Sequence, residues 1–128
     1  MHLNNLSKAT AVFFALMFTA YLTYAQSVSI TDLRQNDRTG TPFHLDQVVT
    51  TSGVVTVAAE FGTAGPAYIQ SEEAGIAIYG ADLVAQLNSG DYISITSQVG
   101  FYNGLTQFVY DPENSAITVE SSALMPAA

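Results

Sequence analysis

The chain has 128 residues, with 3 Lys or Arg against 11 Asp or Glu, so its formal net charge at pH 7 is −8. It contains no cysteine, which excludes disulfides, catalytic thiolates and Cys-based metal sites. The acidic balance repels phosphate backbones at long range and favours solubility. The acidic balance therefore argues against a nucleic-acid-binding site that depends on a basic groove.

The first 25 residues have the pattern of a cleavable secretion signal. A short polar stretch with a single lysine precedes residues 11–22, which carry no charge and are apolar at nearly every position. Thr23 and Ala25 then place small residues at the −3 and −1 positions before Gln26. The alternative is an uncleaved anchor, although the apolar stretch is shorter than the roughly 20 residues that cross a bilayer. We expect an exported protein, secreted or periplasmic, with no membrane attachment after cleavage.

Cleavage would leave residues 26–128, which are enough for one modest core and not for two domains. The mature chain then contains two arginines and 11 acidic residues, so its net charge is −9. We assign residues 26–120 to a single domain and residues 121–128, which read SSALMPAA, to a C-terminal tail or linker.

Alternation of apolar and polar residues with a period of two dominates the mature chain, and β-branched and aromatic residues fill the alternating runs. Residues 28–33 form a leading strand or a short helix. Gly53 lies inside the first long run, where a glycine is tolerated at a bend or bulge. The predicted strands are residues 48–59, 67–70, 75–79, 91–99, 105–110 and 115–119.

One short helix interrupts these strands. Apolar residues at helical spacing predict it over residues 81–87, and an Asn-Ser-Gly run ends it. Asn103-Gly104 predicts a tight hairpin turn, because both residues tolerate positive φ. A helix between the third and fourth strands is typical of the five-stranded Greek-key barrel called the OB-fold, so we predict this all-β fold. The alternatives are a small β-sandwich, which usually needs about seven strands, and a carbohydrate-binding jelly roll.

Several segments resemble one known family. Residues 67–79 (AYIQSEEAGIAIY) are similar to its AYIQDE-GGIAVY hairpin, and residues 49–55 look like its first strand. Residues 90–95 and 99–108 are similar to its GDxVxVxGxVxxYNGLTQ segment. The family is the exported bacterial OB-fold domain found ahead of, or beside, extracellular endonuclease and phosphatase modules. The resemblance covers residues 28–119 and implies an OB-fold that binds nucleic acid.

Residues that could carry catalysis or hold a metal are few. His44 is the only histidine after cleavage, and it lies in a predicted loop where a solvated or loop-capping role is the simplest interpretation. Asp32, Asp37 and Asp46 flank that loop and could share a hard cation, but their spacing matches no calcium-loop pattern. We predict no catalytic site, no metal site and no cofactor, and therefore a protein that is not an enzyme.

The aromatic residues are the best candidates for a binding site. OB barrels bind ligands across strands two and three, and single-stranded nucleic acid stacks its bases on aromatic faces. If the isoleucines of these strands fill the barrel, alternation places Tyr68, Gln70 and Tyr79 outward together. Phe61 and Tyr102 lie in or near the flanking loops. These five residues are our candidate ligand-binding side chains.

Two functions remain open at this stage. The first is a non-catalytic module that binds single-stranded nucleic acid, or a saccharide or other planar ligand, on the face of strands two and three. The second is a structural or protein-interaction module that positions a neighbouring catalytic domain. The aromatic face favours the first function and the scarcity of cations favours the second. In both cases we expect a monomer.

The signal sequence predicts where the mature chain begins. Exported protein should start at Gln26, cyclised or not to pyroglutamate, because Thr23 and Ala25 satisfy the requirements of a signal peptidase. Mass spectrometry of protein recovered from outside the cytoplasm measures this directly. Exported material that still carries residues 1–25 would show that the segment is retained as an anchor.

Overall fold

A computed structural model describes residues 25–123. The predicted signal sequence, apart from Ala25, and residues 124–128 of the predicted tail lie outside the described residues. The described chain forms seven strands and two short helices. In chain order they are β1 Gln26–Ser27, α1 Ile30–Leu33, β2 Val48–Val57, β3 Ala67–Gln70, β4 Gly75–Tyr79, α2 Ala81–Val84, β5 Tyr92–Tyr102, β6 Leu105–Val109 and β7 Ala116–Ser121.

Five of the strands close into a barrel. Hydrogen bonding joins them in the order β2-β3-β4-β6-β5, and the pairing of β5 with β2 completes the circuit. Within this circuit β4 and β6 run parallel, and the other neighbours are antiparallel. This is the Greek-key barrel of the OB-fold, as the sequence predicts. Outside the barrel, β1 adds to β2 in parallel and β7 adds to β5 in antiparallel orientation.

Gly53 lies where β2 gains a second partner. Its neighbour Val54 pairs with Tyr92 of β5 and also with Gln70 of β3. A Cβ atom at position 53 would lie 3.0 Å from the Gln70 carbonyl oxygen and 3.1 Å from Cδ1 of Ile30. Close approach of backbone and side chain therefore requires glycine here. Of the bend or bulge that the sequence allows at Gly53, no bulge is present there, and the register of β2 against β3 shifts instead between Val55 and Val57.

Alternating apolar residues of the barrel strands form the core, and the two helices cover its ends. Helix α1 buries Ile30 and Leu33, and helix α2 buries Leu83 and Val84. Burial of such a side chain stabilises a fold by about 1.5–3 kcal/mol. The two helices are therefore held mainly by their apolar residues, since each has only four residues.

Both helical predictions need adjustment. Residues 28–33, for which the sequence predicts a strand or a short helix, contain helix α1, and the Ser29 hydroxyl caps it by accepting the amide N–H of Asp32 at 3.1 Å. The helix predicted over residues 81–87 ends at Val84, because the amides of Gln86 and Leu87 bond to carbonyls three residues back, in tighter turns. No helix within residues 25–123 is long and apolar enough to cross a membrane.

Four predicted strands end at other residues. The strands predicted over residues 48–59 and 105–110 end earlier, at Val57 and Val109, and two others extend further. The strand predicted over residues 91–99 continues to Tyr102, because β6 gives its last residues a partner as far as the Tyr102–Leu105 pair. Strand β7 begins at Ala116 and continues to Ser121, one residue into the predicted tail.

The turn between β5 and β6 is the one that the sequence predicts. Asn103 and Gly104 have φ values of 49° and 80°, and the residues on either side of them pair with each other. Two consecutive residues at positive φ form the type of turn that matches the twist of a hairpin.

Replacement of Gly104 by valine should lower the free energy of unfolding by about 1–2 kcal/mol, because an L-residue at this φ is strained. Nothing lies within 4 Å of a Cβ atom at this position, so conformational strain alone sets the cost. Gly104→Asn is the matched control and should retain most of the stability, since Asn tolerates positive φ. Urea denaturation of the two variants measures the difference. Equal stability would contradict the turn geometry.

Candidate ligand-binding site

The wall of the barrel carries no charge. The described chain has two arginines and eleven acidic residues, and none of them lies in β2, β3, β4, β5 or β6. The charged residues lie instead in the loops, the helices and β7. The outer surface of the barrel strands is therefore made of hydroxyl, amide, aromatic and aliphatic groups.

Strands β3 and β4 present the predicted residues outward. Tyr68 and Gln70 alternate with buried residues of β3, and Tyr79 is partly exposed at the end of β4, after the buried Ile78. The inward neighbours, with 0 to 1% of their surface exposed, are Ala67, Ile69, Ile76 and Ile78. The orientation predicted for Tyr68, Gln70 and Tyr79 is therefore the one observed.

A shallow groove of about 270 Å³, which we name the β4 trough, runs along this face. Its floor consists of the small outward residues Gly75 and Ala77, which pair with Gln70 and Tyr68 respectively. The long side chains on neighbouring strands rise above this floor and form its walls. The residues lining the trough are Arg34, Thr56, Tyr68, Ile69, Gln70, Gly75, Ile76, Ala77 and Leu105.

A second groove of about 540 Å³ adjoins the trough, and we name it the Tyr92 groove. Tyr92 and Val54 pair across β5 and β2, and their side chains are 43% and 39% exposed. Thr56 and Gln70 line both grooves, so the two grooves are neighbours on the barrel wall. We name their combined surface, from Tyr92 of β5 to Leu105 of β6, the path. The other residues that line the Tyr92 groove are Ser52, Gly53, Ser71 and Glu72.

Each groove is lined by a single charged residue. Arg34, the C-cap residue of α1, reaches the trough and donates from Nη1 to the carbonyl oxygen of Gly75 at 2.8 Å. Glu72, in the turn between β3 and β4, lines the Tyr92 groove. The path therefore offers one cation to an anionic ligand, and any other attraction must come from stacking and hydrogen bonds.

Gln107 is a further residue on this face, which the sequence analysis did not identify. It pairs with Ala77 of the trough floor, and its side chain is 9% exposed. Its Oε1 is buried and accepts no hydrogen bond from the described residues. Alternation against the inward Phe108 was the signal that could have placed it outward.

The remaining predicted residues lie around the grooves and line neither of them. Tyr79 is half-buried and pairs with Val109 on the same outer face. Tyr102 is 67% exposed at the end of β5 and pairs with Leu105 of the trough. Phe61 is 65% exposed in the loop between β2 and β3. The structure thus brings Tyr68 and Gln70 together in the trough, and it places Tyr79, Tyr102 and Phe61 outside both grooves. A binding role for these five residues stays a prediction.

The polar side chains of the acidic loop before β2 form hydrogen bonds within that loop. The Asp37 carboxylate accepts hydrogen bonds from the Thr39 hydroxyl at 2.6 Å and the Thr41 amide at 3.1 Å, and these bonds lower the pKa of Asp37. Nδ1 of His44 lies 2.8 Å from Oε1 of Gln47. Within residues 25–123, no group of three or more His, Cys, Asp or Glu side chains is arranged to hold a metal ion.

No protein-family profile matches this chain, and no curated protein matches it. A solved chain from Leishmania major Friedlin, assigned as an aspartyl-tRNA synthetase, is similar to it in structure, with a TM-score of 0.59 at 9% sequence identity. The similarity covers 84% of this chain and 23% of that one, so this chain spans about a quarter of its length. At this identity the likeness shows the fold alone, and it agrees with the OB-fold that the strand order gives.

Proposed function

We propose that this protein is an exported, non-catalytic OB-fold module that binds single-stranded nucleic acid by stacking bases along the path from the Tyr92 groove to the β4 trough. The observation that supports this most is the path itself, which crosses the barrel strands and contains Tyr92 near one end and Tyr68 in the trough. The OB-fold is consistent with such a module.

Stacking fits the chemistry of the path better than phosphate neutralisation does. A base stacked on an aromatic side chain contributes about 1–3 kcal/mol, whatever its sequence. The hydroxyl of Ser52 and the amide of Gln70 line the grooves beside the two tyrosines, and the Thr56 hydroxyl, which donates to the carbonyl oxygen of Tyr68 at 3.4 Å, can still accept. Only Arg34 can neutralise a phosphate there. We therefore expect weak binding that gains from divalent cations, which would bridge acidic side chains and phosphates.

The residue composition supports a non-catalytic role. After signal cleavage the chain has one histidine, His44, and no cysteine, which leaves few groups for nucleophilic or acid–base catalysis. The purified mature domain should therefore hydrolyse neither nucleic acids, phosphate esters nor glycosides, with or without divalent metals. Turnover that disappears when a single acidic residue is replaced would overturn this part of the proposal.

The alternative function, docking of a neighbouring catalytic domain, is favoured by a different surface. Within residues 25–123, strand β7 lies at the edge of the sheet, and one side of its backbone has no partner strand there. Its Val119 side chain is 47% exposed. An edge strand of this kind can pair with a strand of another domain. If substitutions in β7 abolish binding of a neighbouring domain and leave oligonucleotide binding unchanged, the result favours this alternative.

Replacement of Tyr68 by alanine tests the stacking proposal. Because Tyr68 lines the trough beside the small Ala77, loss of its ring should weaken binding of a labelled single-stranded oligonucleotide by about 1–3 kcal/mol. The ring is on the outer face, so the domain should remain folded. Fluorescence anisotropy, with and without magnesium, measures the affinity.

Phe43→Ala is the matched control, because Phe43 is 62% exposed and lines neither groove. It should leave the affinity unchanged. Equal weakening in the two variants would contradict a role for the trough. Absence of oligonucleotide binding by the unaltered domain at millimolar concentration would contradict the proposed function as a whole.

A further inference from the structure

Glu72 and Glu73 are the two central residues of the turn between β3 and β4, and their side chains leave the turn in different directions. Glu73 lies near helix α1, where its Oε2 accepts a hydrogen bond from the Thr31 hydroxyl at 3.5 Å. Glu72 is one of the residues that line the Tyr92 groove. A carboxylate in a groove that holds an anionic strand repels that strand, so it lowers the affinity unless it accepts a hydrogen bond from the ligand.

The turn fixes the backbone of Glu72 beside the groove. The Ser71 amide donates to the carbonyl oxygen of Ala74 at 2.8 Å, and the Ala74 amide donates to the Ser71 hydroxyl at 3.3 Å. The Glu72 side chain is exposed, and among residues 25–123 none donates a hydrogen bond to its carboxylate. Both carboxylate oxygens can therefore accept hydrogen bonds from a ligand in the groove.

The aromatic ring of Tyr92 lies on the other side of the same groove. Val54 pairs with Tyr92 on β5 and with Gln70 on β3, so Tyr92 and the end of β3 flank it. Two strand spacings make the groove roughly 10 Å across, which is wide enough for a single base. Tyr92 is 43% exposed, and Gly53 and Val54 line the groove with it. A base stacked on Tyr92 can therefore direct its hydrogen-bonding edge to Glu72.

A carboxylate distinguishes between the bases by their hydrogen-bond donors. When ionised it only accepts hydrogen bonds, and its two oxygens match a pair of parallel donors. Bases of a single strand expose their Watson–Crick edges, and on that edge guanine has two adjacent donors, N1–H and the N2 amino group. Adenine, cytosine and thymine each have one donor beside an acceptor, which would face the second carboxylate oxygen unfavourably. Guanine is therefore the base that fits this groove.

We propose that Glu72 is a specificity-determining residue of the Tyr92 groove, whose carboxylate accepts hydrogen bonds from N1–H and the N2 amino group of a guanine stacked on Tyr92. This rests on the proposed function and names the base that the groove recognises. The two hydrogen bonds offset the repulsion between Glu72 and the strand when guanine occupies the groove, and no other base offers both.

The test compares two strands by fluorescence anisotropy. Oligothymidylate of about eight nucleotides carries either one central guanine or one central adenine, and both purines can stack on a tyrosine ring. The unaltered domain should bind the guanine strand about tenfold more tightly, as hydrogen bonds to a charged group would give. In Glu72→Gln this preference should fall to about twofold or less, because a glutamine amide also forms a pair of hydrogen bonds with adenine.

Glu73→Gln is the matched control, because it removes the same charge from the next residue of the turn, and Glu73 lines neither groove. Loss of one negative charge should strengthen binding of the adenine strand slightly and equally in the two variants. Glu73→Gln should keep the preference for guanine, and only Glu72→Gln should lose it. Both side chains are exposed, so urea denaturation should show both variants to be as stable as the unaltered domain.

Three results would overturn the inference. If the two strands bind the unaltered domain equally, Glu72 does not recognise guanine, while the proposed function stands. If the preference persists in Glu72→Gln, or disappears equally in Glu73→Gln, another group recognises the base. If neither strand binds the unaltered domain, the proposed function fails and this inference fails with it.

Discussion

Closure of the sheet by the ladder between β2 and β5 is the constraint on which the rest of the structure depends. This ladder pairs residues 48–54 with residues 92–98 and converts a row of strands into a barrel with an inside and an outside. Closure also brings β2 close to β3 and α1 at Gly53, where the side chain of Ile30 approaches. Burial of Ile30 and Leu33 then fixes the end of α1, so Arg34 reaches the trough.

The same closure explains why the distribution of charge matters for function. In the barrel strands, alternate residues face inward and are mainly apolar, and the outward ones are uncharged although the chain as a whole is strongly acidic. A ligand on this surface would meet tyrosine rings, hydroxyls and amides, because the acidic groups lie outside the barrel strands, in the loops, the helices and β7. Such a surface suits the flat face of a base better than a string of phosphates.

The parts of the fold that depend on local pattern could be predicted from the sequence, and those that depend on register could not. Alternation predicts the strands that carry Tyr68 and Tyr79, and the pair Asn103-Gly104 predicts the turn between β5 and β6. The role of Tyr92 depends on which residues of β2 lie opposite it, which no local pattern contains. Likewise, the outward direction of Gln107 could be predicted, but its unpartnered oxygen could not, because that depends on the neighbours that three strands bring together. The predicted signal sequence lies almost entirely outside the described residues.

The central claim is that binding depends on stacking against an uncharged wall and not on phosphate neutralisation. The dependence of oligonucleotide affinity on salt concentration tests it most directly. Each phosphate that a protein neutralises on a single strand changes the slope of log K against log salt by about −0.7. With Arg34 as the one cation lining the path, the account predicts a slope no steeper than about −0.7, and a flatter one where salt screens the repulsion between phosphates and the acidic loops. A slope several times steeper would contradict it.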